Sequence, residues 1–575
     1  MNASRIAERG ASYALQTALE PTFGTSFDLL ATAPQGVGKL RELILSLALR
    51  GLLVPQSCSD ESAEKLLTRS RQHCTHQMEA GCTKREKSAL PVTNQEMRFV
   101  LPKQWTWCRI VDTGEYVNGL AFKPSDWGNS GRPIIRIQNL SGRAQDFNRT
   151  TKEVDASVIV RSGDILVSWS ATLDAFVWSG EEGVLNQHIF RVTPSLLVDK
   201  KFLYWLLKGV IRELAASDHA HGLVMSHINR GPFLAYPVAI PPAAEQARIV
   251  ARVEELMRLC DALEAHGRLQ DEQHARLVAT LFDALAASAS AEELAENWQR
   301  IAAHFDLLLD RPEAVDALEQ AILQLAVRGL LVPQDPTDEP ASKLLQRISM
   351  EKDLLIAEGK IKRAKSLPPI TDEEKPFELP AQWEWIRVAS VGATQTGGTP
   401  ASNKPEYFDG NFPFIGPGQI TPSGEILPPE KFISELGRAE SAVAEPGDIL
   451  MVCIGGSIGK CAATPFPTAF NQQINSIRPL LASGEFILTA MTTSDFVSAV
   501  VSTATGSATP IISKGKWDLL LLPLPPLAEQ HRIVARVEQL RRLCAELRGR
   551  LQQARVTQSR LADALVSAAD QSPSC

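Results

Sequence analysis

Residues 241–260 read PPAAEQARIVARVEELMRLC, and residues 525–544 read PPLAEQHRIVARVEQLRRLC, with sixteen of the twenty positions identical. A diproline opens each copy, and Pro is favoured at the entry to a helix. Behind it, apolar positions run Ile249, Val253, Leu256, Cys260, Leu263 in the first copy. They run Ile533, Val537, Leu540, Cys544, Leu547, Leu551 in the second. Steps of four and three alternate, which predicts helices carrying a narrow heptad stripe that needs a partner. Two partners fit: the stripe packs on its own domain, or the two like helices pack on each other as an antiparallel coiled coil. Residues 243–266 alone would span about 36 Å as a helix, near one turn of B-DNA, about 34 Å. Gly267 interrupts the pattern, but Leu551 holds the same place in copy two, so continuation towards Leu281 and Leu565 is expected.

The duplication extends beyond these helices. Residues 40–56, LRELILSLALRGLLVPQ, match residues 318–334, LEQAILQLAVRGLLVPQ, at a shift of 278. At the same shift, basic runs at Lys84 and Lys362, Leu-Pro at Leu101 and Leu379, and a Trp-x-Trp at Trp105 and Trp383 align. A constant shift over such a distance is the mark of a duplicated unit. Leu40 and Leu318 open predicted helices that end near Gly51 and Gly329. Between the tryptophans and the diprolines the texture changes to short apolar runs with turn signals, read as strands, with a helix over residues 200–216. These two inserts match only at scaffold points such as Gly163-Asp164-Ile165-Leu166 with Gly447-Asp448-Ile449-Leu450, and Asn186-Gln187 with Asn471-Gln472. The fold class expected is mixed α/β: two unlike globular domains separated by like helical segments, an internal tandem repeat with pseudo-twofold symmetry. The boundaries are 1–100 for an N-terminal helical region, 101–242 for the first insert, 243–378 for a central helical region and linker, 379–526 for the second insert, and 527–575 for the last helix.

A chain of 575 residues exceeds one core. Net charge is −7, which argues against a simple electrostatic nucleic-acid binder. No apolar run is long enough for a membrane span, and the first residues do not read as a secretory signal. Nine scattered cysteines fit a reducing, cytoplasmic setting. Residues 455–460, GGSIGK, fail as a phosphate loop, since Ile454 stands where its first Gly belongs and Cys461 where Ser or Thr belongs. His73, Cys74, His76 and Cys82 have no counterpart in copy two, so a variable segment is preferred to zinc. His219 and His221 read as loop residues, and Glu373-x-Lys375 lacks a partner carboxylate for a nuclease site. The two diprolines lack the Asn or Asp and the aromatic of an amino-methyltransferase. No metal site and no catalytic residues are expected, and the chain reads as a non-enzyme.

The doubled PPxAEQxRIVARVExL phrase resembles the specificity subunit of Type I restriction–modification enzymes. So do Gly397-Gly398-Thr399-Pro400-Ala401-Ser402, the run from Tyr407 to Gly410, Phe412 to Ile415, and the polar stretches 226–229 and 511–514. The first insert, opening Gly114-Glu115-Tyr116-Val117, lacks the Gly-Gly-Thr-Pro phrase. The resemblance implies that each insert is a target recognition domain reading one half of a bipartite, asymmetric site in double-stranded DNA. It implies two modification (methyltransferase) subunits docked on the conserved helices, and two restriction (motor and nuclease) subunits. S-adenosylmethionine, ATP and Mg would sit on those partners and none on this chain. The competing class is a two-headed protein-interaction scaffold that binds no DNA. Polar or basic residues in insert loops are the DNA-binding candidates: Arg136, Gln138, Asn139, Ser170, His188, His227, Asn229 and Arg230 in the first insert. Thr399, Ser402, Gln419, Ser457, Gln472, Ser513, Lys514 and Lys516 are those in the second. For each, an ordinary loop hydrogen bond is the plain alternative. Arg248, Arg252, Arg532 and Arg536 flank the stripes and are candidates for partner docking, with a solvated helix face as the alternative. Lys and Arg number fourteen against thirteen Asp and Glu in residues 109–240, and seven against eleven in residues 388–524. Phosphate neutralisation by the inserts alone is therefore small.

Overall fold

The repeated stretch forms a helix in each half, Gly36–Leu49 and Pro312–Val327, called here the anchor helices. Each stops at a glycine, Gly51 and Gly329, with φ of 75°, the left-handed position that ends many helices. A Cβ at Gly51 would meet Pro102 Cγ at 2.7 Å, and one at Gly329 would meet Pro380 Cγ at 2.6 Å. Glycine here both turns the chain and lets the Leu-Pro segment approach.

The computed structural model describes residues 27–79, 90–216, 229–363, 366–506 and 509–571. It divides into two compact units: the chain up to Gln270 together with the part from Arg555 on, and Asp271–Ala554. Each unit holds one recognition domain of the same topology. In the second, a four-stranded antiparallel sheet has the order Gly392–Thr396, Ile474–Pro479, Ile449–Val452, Cys461–Ala463. A second sheet has the order Lys431–Ile433, Phe412–Ile415, Thr468–Phe470, Ala442–Ala444, with its central pair parallel. The first domain repeats this order with Gly114–Asn118, Ile189–Pro194, Ile165–Ser168 and Asp174–Val177 in one sheet. Its other sheet runs Arg149–Thr150, Arg132–Ile135, Gly183–Leu185, Ile159–Val160. Two inserts of unlike sequence thus keep one strand order. In each, a ribbon ties the domain's start to its end: Thr106–Arg109 with Pro237–Ile240, and Glu384–Arg387 with Leu521–Leu524.

The segment before each domain contains a helix, Ala63–Glu79 in the first half and Ala341–Ala357 in the second. His73, Cys74 and His76 lie on the first, while Cys82 falls outside the described residues. Among the described residues no group of three metal-capable side chains comes together. Residues 455–460 form a turn between Ile449–Val452 and Cys461–Ala463, with Gly455 and Gly459 at φ 96° and 91°.

The long helices are Ala243–Ala286, of 44 residues, and Leu527–Gln571, of 45. At 1.5 Å per residue each measures roughly 66 Å, so the match to one turn of DNA drawn from residues 243–266 does not hold. Gly267 lies inside the first helix and costs it about 1 kcal/mol without ending it. Each long helix contributes to both units. In the first unit, Ile249, Val253, Leu256 and Cys260 are buried in one apolar cluster with Leu40, Leu43, Ile44 and Leu47 of the anchor helix, and with Ala562 from the end of the last helix. In the second, Leu540, Cys544, Leu547 and Leu551 share a cluster with Leu318, Ile322 and Leu325 of the other anchor helix, and with Val278, Phe282 and Leu285. The stripes are therefore buried within their own units, and the anchor helix is a third member of the packing.

Polar contacts repeat the pattern. Arg41 reaches Asp261 and Glu264 at 2.7 Å each, and Lys39 reaches Asp563 at 2.7 Å. In the second unit Arg548 reaches Asp316 at 2.7 Å, and Arg311 reaches Asp271 at 2.6 Å. No single helix among the described residues is long and apolar enough to cross a membrane. The bent pair Gly484–Met491 and Ser494–Thr503 passes on composition, but Phe486, Met491 and Val500 are fully buried in the core of the second domain.

Candidate nucleic-acid interface

In the second domain several strands deliver loops to one end. The strand Gly392–Thr396 runs into Gly397, whose N–H donates to Ile474 O at 2.9 Å, while Gly398 N–H donates to Phe470 O at 3.0 Å. A Cβ on Gly397 would meet Asn471 O at 2.0 Å, so only glycine permits this approach. Asn471 N–H donates to Ile415 O at 3.1 Å, Cys453 N–H to Gln473 O at 2.7 Å, and Gly455 N–H to Pro510 O at 2.9 Å. Residues 397–402, 416–419, 453–459, 471–473, 505–506 and 509–513 therefore meet at one end of the domain.

Within this cluster the candidates divide. Thr399 donates its hydroxyl to Gln472 Oε1, and both are exposed. Ser402, Ser513 and Lys516 are also exposed, and Ser457 is half-buried. Gln419 accepts from Gly416 N–H at 3.0 Å, and Ser513 Oγ caps the short helix Lys514–Asp518. Lys514 Nζ donates to Thr394 Oγ1 at 2.6 Å and pairs with Asp518 at 2.5 Å, while Lys516 Nζ donates to Thr503 O at 3.2 Å. Cys453 is packed in the same end, and burial pushes its thiol up to about 12, which leaves it a small apolar group.

The first domain builds the same end from different side chains. Asn186 N–H donates to Ile135 O at 3.1 Å, and Trp169 N–H to His188 O at 3.3 Å. Asn139 Oδ1 accepts from Arg136 N–H at 3.2 Å, as Gln419 does from Gly416, and its amide donates to Asp146 O at 2.9 Å. The Arg136 guanidinium lies 5.5 Å from the centre of the Trp127 ring, and its buried Nε has no hydrogen-bond partner among the described residues. His188 packs edge-on against Trp169, centroids 5.2 Å apart. Arg230 donates to Tyr116 O at 3.2 Å, as Lys514 donates to Thr394 in the other half. Gln138 and Asn229 are exposed, whereas Ser170 is only 5% exposed and faces inward. His227 lies outside the described residues, as do His219 and His221.

The helix arginines have internal partners. Arg248 reaches Asp60 at 2.6 Å and Arg532 reaches Asp338 at 2.7 Å. Arg252 pairs with Glu255 on its own helix, and Arg536 with Gln539. Sequence reasoning missed the residues beside them. Glu529 is fully buried and accepts from Gln334 at 2.7 Å and from Trp383 Nε1 at 3.0 Å. Glu245 accepts from Gln56 at 2.7 Å and has Trp105 as its other neighbouring donor, the counterpart of Trp383. Burial raises both carboxyls above the usual range. Gln246 and Gln530 accept from the N–H of Asp199 and Ser483, at 2.7 and 2.8 Å. The Glu-Gln-x-Arg of each copy thus binds the anchor loop and the recognition domain to the start of the long helix. Arg109 and Arg387, also missed, are buried and hold the linker carboxylates Glu96 and Glu374. Their signal was an Arg two residues after each Trp-x-Trp.

Two domains of one topology, each on the start of a long helix and each offering a loop cluster of its own chemistry, define a duplicated recognition protein. The family model for the Type I restriction modification DNA specificity domain matches residues 102–271 and 380–555, and the chain belongs to that family. It is 33% identical to the Type I restriction enzyme EcoAI specificity subunit of Escherichia coli, over 93% of this chain and 94% of that one. It is also 33% identical to the EcoEI specificity subunit of Escherichia coli, over the same shares. A crystal structure of the HsdS subunit from Thermoanaerobacter tengcongensis aligns at 17% identity with TM-score 0.36, over 82% of this chain and 98% of that one.

Proposed function

We propose that each domain reads one half of a bipartite, asymmetric site in double-stranded DNA through its loop-bearing end. One observation carries this reading. The two ends share backbone contacts, as in Asn186 to Ile135 and Asn471 to Ile415, yet carry different side chains. A common scaffold with unlike polar tips suits two unlike half-sites, because base edges are distinguished by donor and acceptor pattern, at about 1–3 kcal/mol per bidentate contact. Gln138, Asn229, Thr399, Ser402, Gln472 and Lys516, exposed at these ends, are the side chains in position to reach bases. Asn139, Gln419 and Ser513 hold the loops that present them.

The long helices dock two modification subunits, with Arg252 and Arg536 among the contacts, while Arg248 and Arg532 keep the recognition domains seated. S-adenosylmethionine, ATP and Mg are bound by the modification and restriction subunits, and the complex works in the cytoplasm. The test is an exchange of residues 379–526 for the corresponding segment of a relative, followed by methylation mapping. One half-site changes and the other stays. A change at both ends overturns the modular reading.

A further inference from the structure

The acidic balance of the second domain leaves open what holds the DNA backbone. Beside this domain lies a groove of about 1700 Å³, between the helix Ala341–Ala357 with the chain that follows it and the edge strand Gly392–Thr396. One end of the groove is continuous with the candidate interface, because the edge strand leads into Gly397–Thr399 and Lys514 lines it. Lys352, Lys360, Lys362, Arg363, Arg387, Arg478 and Lys514 face it, against Asp353, Glu445 and Asp448. The groove is thus cationic beside a domain that is net acidic.

Five of the seven cations are already engaged, Arg387 with Glu374. Arg478 forms a two-point pair with Asp448, Lys514 pairs with Asp518, Lys360 with Glu358, and Lys352 donates to Ala389 O. Lys362 and Arg363 are exposed, and neither has an ion pair among the described residues.

The repeat supplies a second, independent observation. Lys84, Arg85 and Lys87 align with Lys362, Arg363 and Lys365, as Gly81 does with Gly359 and Ser88 with Ser366, while Cys82 stands opposite Lys360 and Glu86 opposite Ala364. A run kept for solubility need not keep its positions. A run kept for an internal ion pair would keep a carboxylate with it. What the two half-sites have in common is the phosphate backbone, and what they do not share is the bases. Residues retained in both halves beside loops that diverged match that division.

We propose that Lys362 and Arg363 bind backbone phosphates flanking the half-site read by the second domain. This rests on the DNA-reading function proposed above. It adds that the chain carries its own sequence-independent contacts, placed in the linker ahead of the second domain.

The test uses the full chain assembled with its modification subunits. Lys362→Gln/Arg363→Gln is compared with wild type on a cognate and a scrambled duplex, between 50 and 200 mM salt. Affinity for both duplexes falls by a similar factor, and the cognate preference is kept. The slope of log affinity against log salt decreases by about 0.9 for each phosphate no longer neutralised, so by roughly 2. Both residues are changed to uncharged ones, and an unaltered unfolding midpoint confirms that the fold is intact. An unchanged slope overturns the proposal. So does a lost cognate preference at constant slope, which would make these residues base readers. Weaker assembly with the modification subunits at constant DNA affinity also overturns it, since an acidic protein segment would then occupy the groove. A wild-type complex that prefers no duplex refutes the underlying function instead.

Discussion

Glu529 shows how much a residue type leaves unsaid. Its place in a twice-repeated phrase was visible, but its burial between Gln334 and Trp383 was not. Periodicity places it four residues ahead of Ile533, at the margin of the apolar stripe, where residue type alone does not say whether a glutamate is solvated or buried. Its two oxygens serve two N–H donors, so Glu529→Gln must turn its own amide towards one of them. The expected loss is about 1–3 kcal/mol, because a buried donor is left unsatisfied. The pH dependence has a definite sign. Burial raises this carboxyl above 4.5, so the folded chain holds the proton more tightly than the unfolded chain does. Stability then falls as pH rises from about 4.5 through the raised value, and the glutamine variant lacks that fall. Denaturant titrations from pH 4 to 7 should show the gap between wild type and variant narrowing with pH. A widening gap would refute the burial account. Among the loop candidates, the polar residue types and their approximate location were legible. Which of them hold the loop and which face outward was not, because that depends on a single backbone N–H within reach, as for Asn139 and Gln419.

Helices and strands were more legible than their ends. The spacing of apolar residues placed both anchor helices and the helix over 200–216, and the glycines marked where the anchors stop. A lone glycine reads as a break, so Gly267 by itself would have ended the first long helix; Leu551 at the same place in the other copy is what carried the reading on towards Leu281 and Leu565, and the helices run to Ala286 and Gln571. Two glycines of the same element class should therefore respond oppositely. Gly329→Ala forces an L-residue into φ 75° and drives a methyl towards Pro380 Cγ, so it should destabilise by about 1–3 kcal/mol. Gly267→Ala meets nothing within 4 Å inside a regular helix and should stabilise by about 0.5–1 kcal/mol. Thermal unfolding of the two variants checks both signs. If Gly329→Ala proves neutral, the left-handed stop is not what fixes the anchor's end.

At the scale of the chain, the repeat announced two equal halves, and a cut near the middle would have seemed natural. The compact units do not follow that cut, because residues from Arg555 on belong with the chain up to Gln270. Nothing in a repeat says that the tail of copy two packs on the head of copy one. That fact lives in contacts such as Lys39 with Asp563, and Ala562 buried among the residues of the first cluster. It leads to an unusual expectation for a substitution near the C-terminus. Ala562→Glu puts a carboxylate into a fully buried position, where an unpaired charge is strongly unfavourable. If damage followed sequence proximity, the region around the start of the same helix, with Cys544 and the second anchor helix, would loosen first. The packing says otherwise: hydrogen exchange should quicken in Gly36–Leu49, some 500 residues away, and in the part of Ala243–Ala286 before Gln270. Protection in Pro312–Val327 and in the second recognition domain should stay at the wild-type level. Exchange that quickens instead around Pro312–Val327 would mean that each half folds on its own helix after all, and that the last turns of the chain are not part of the first unit.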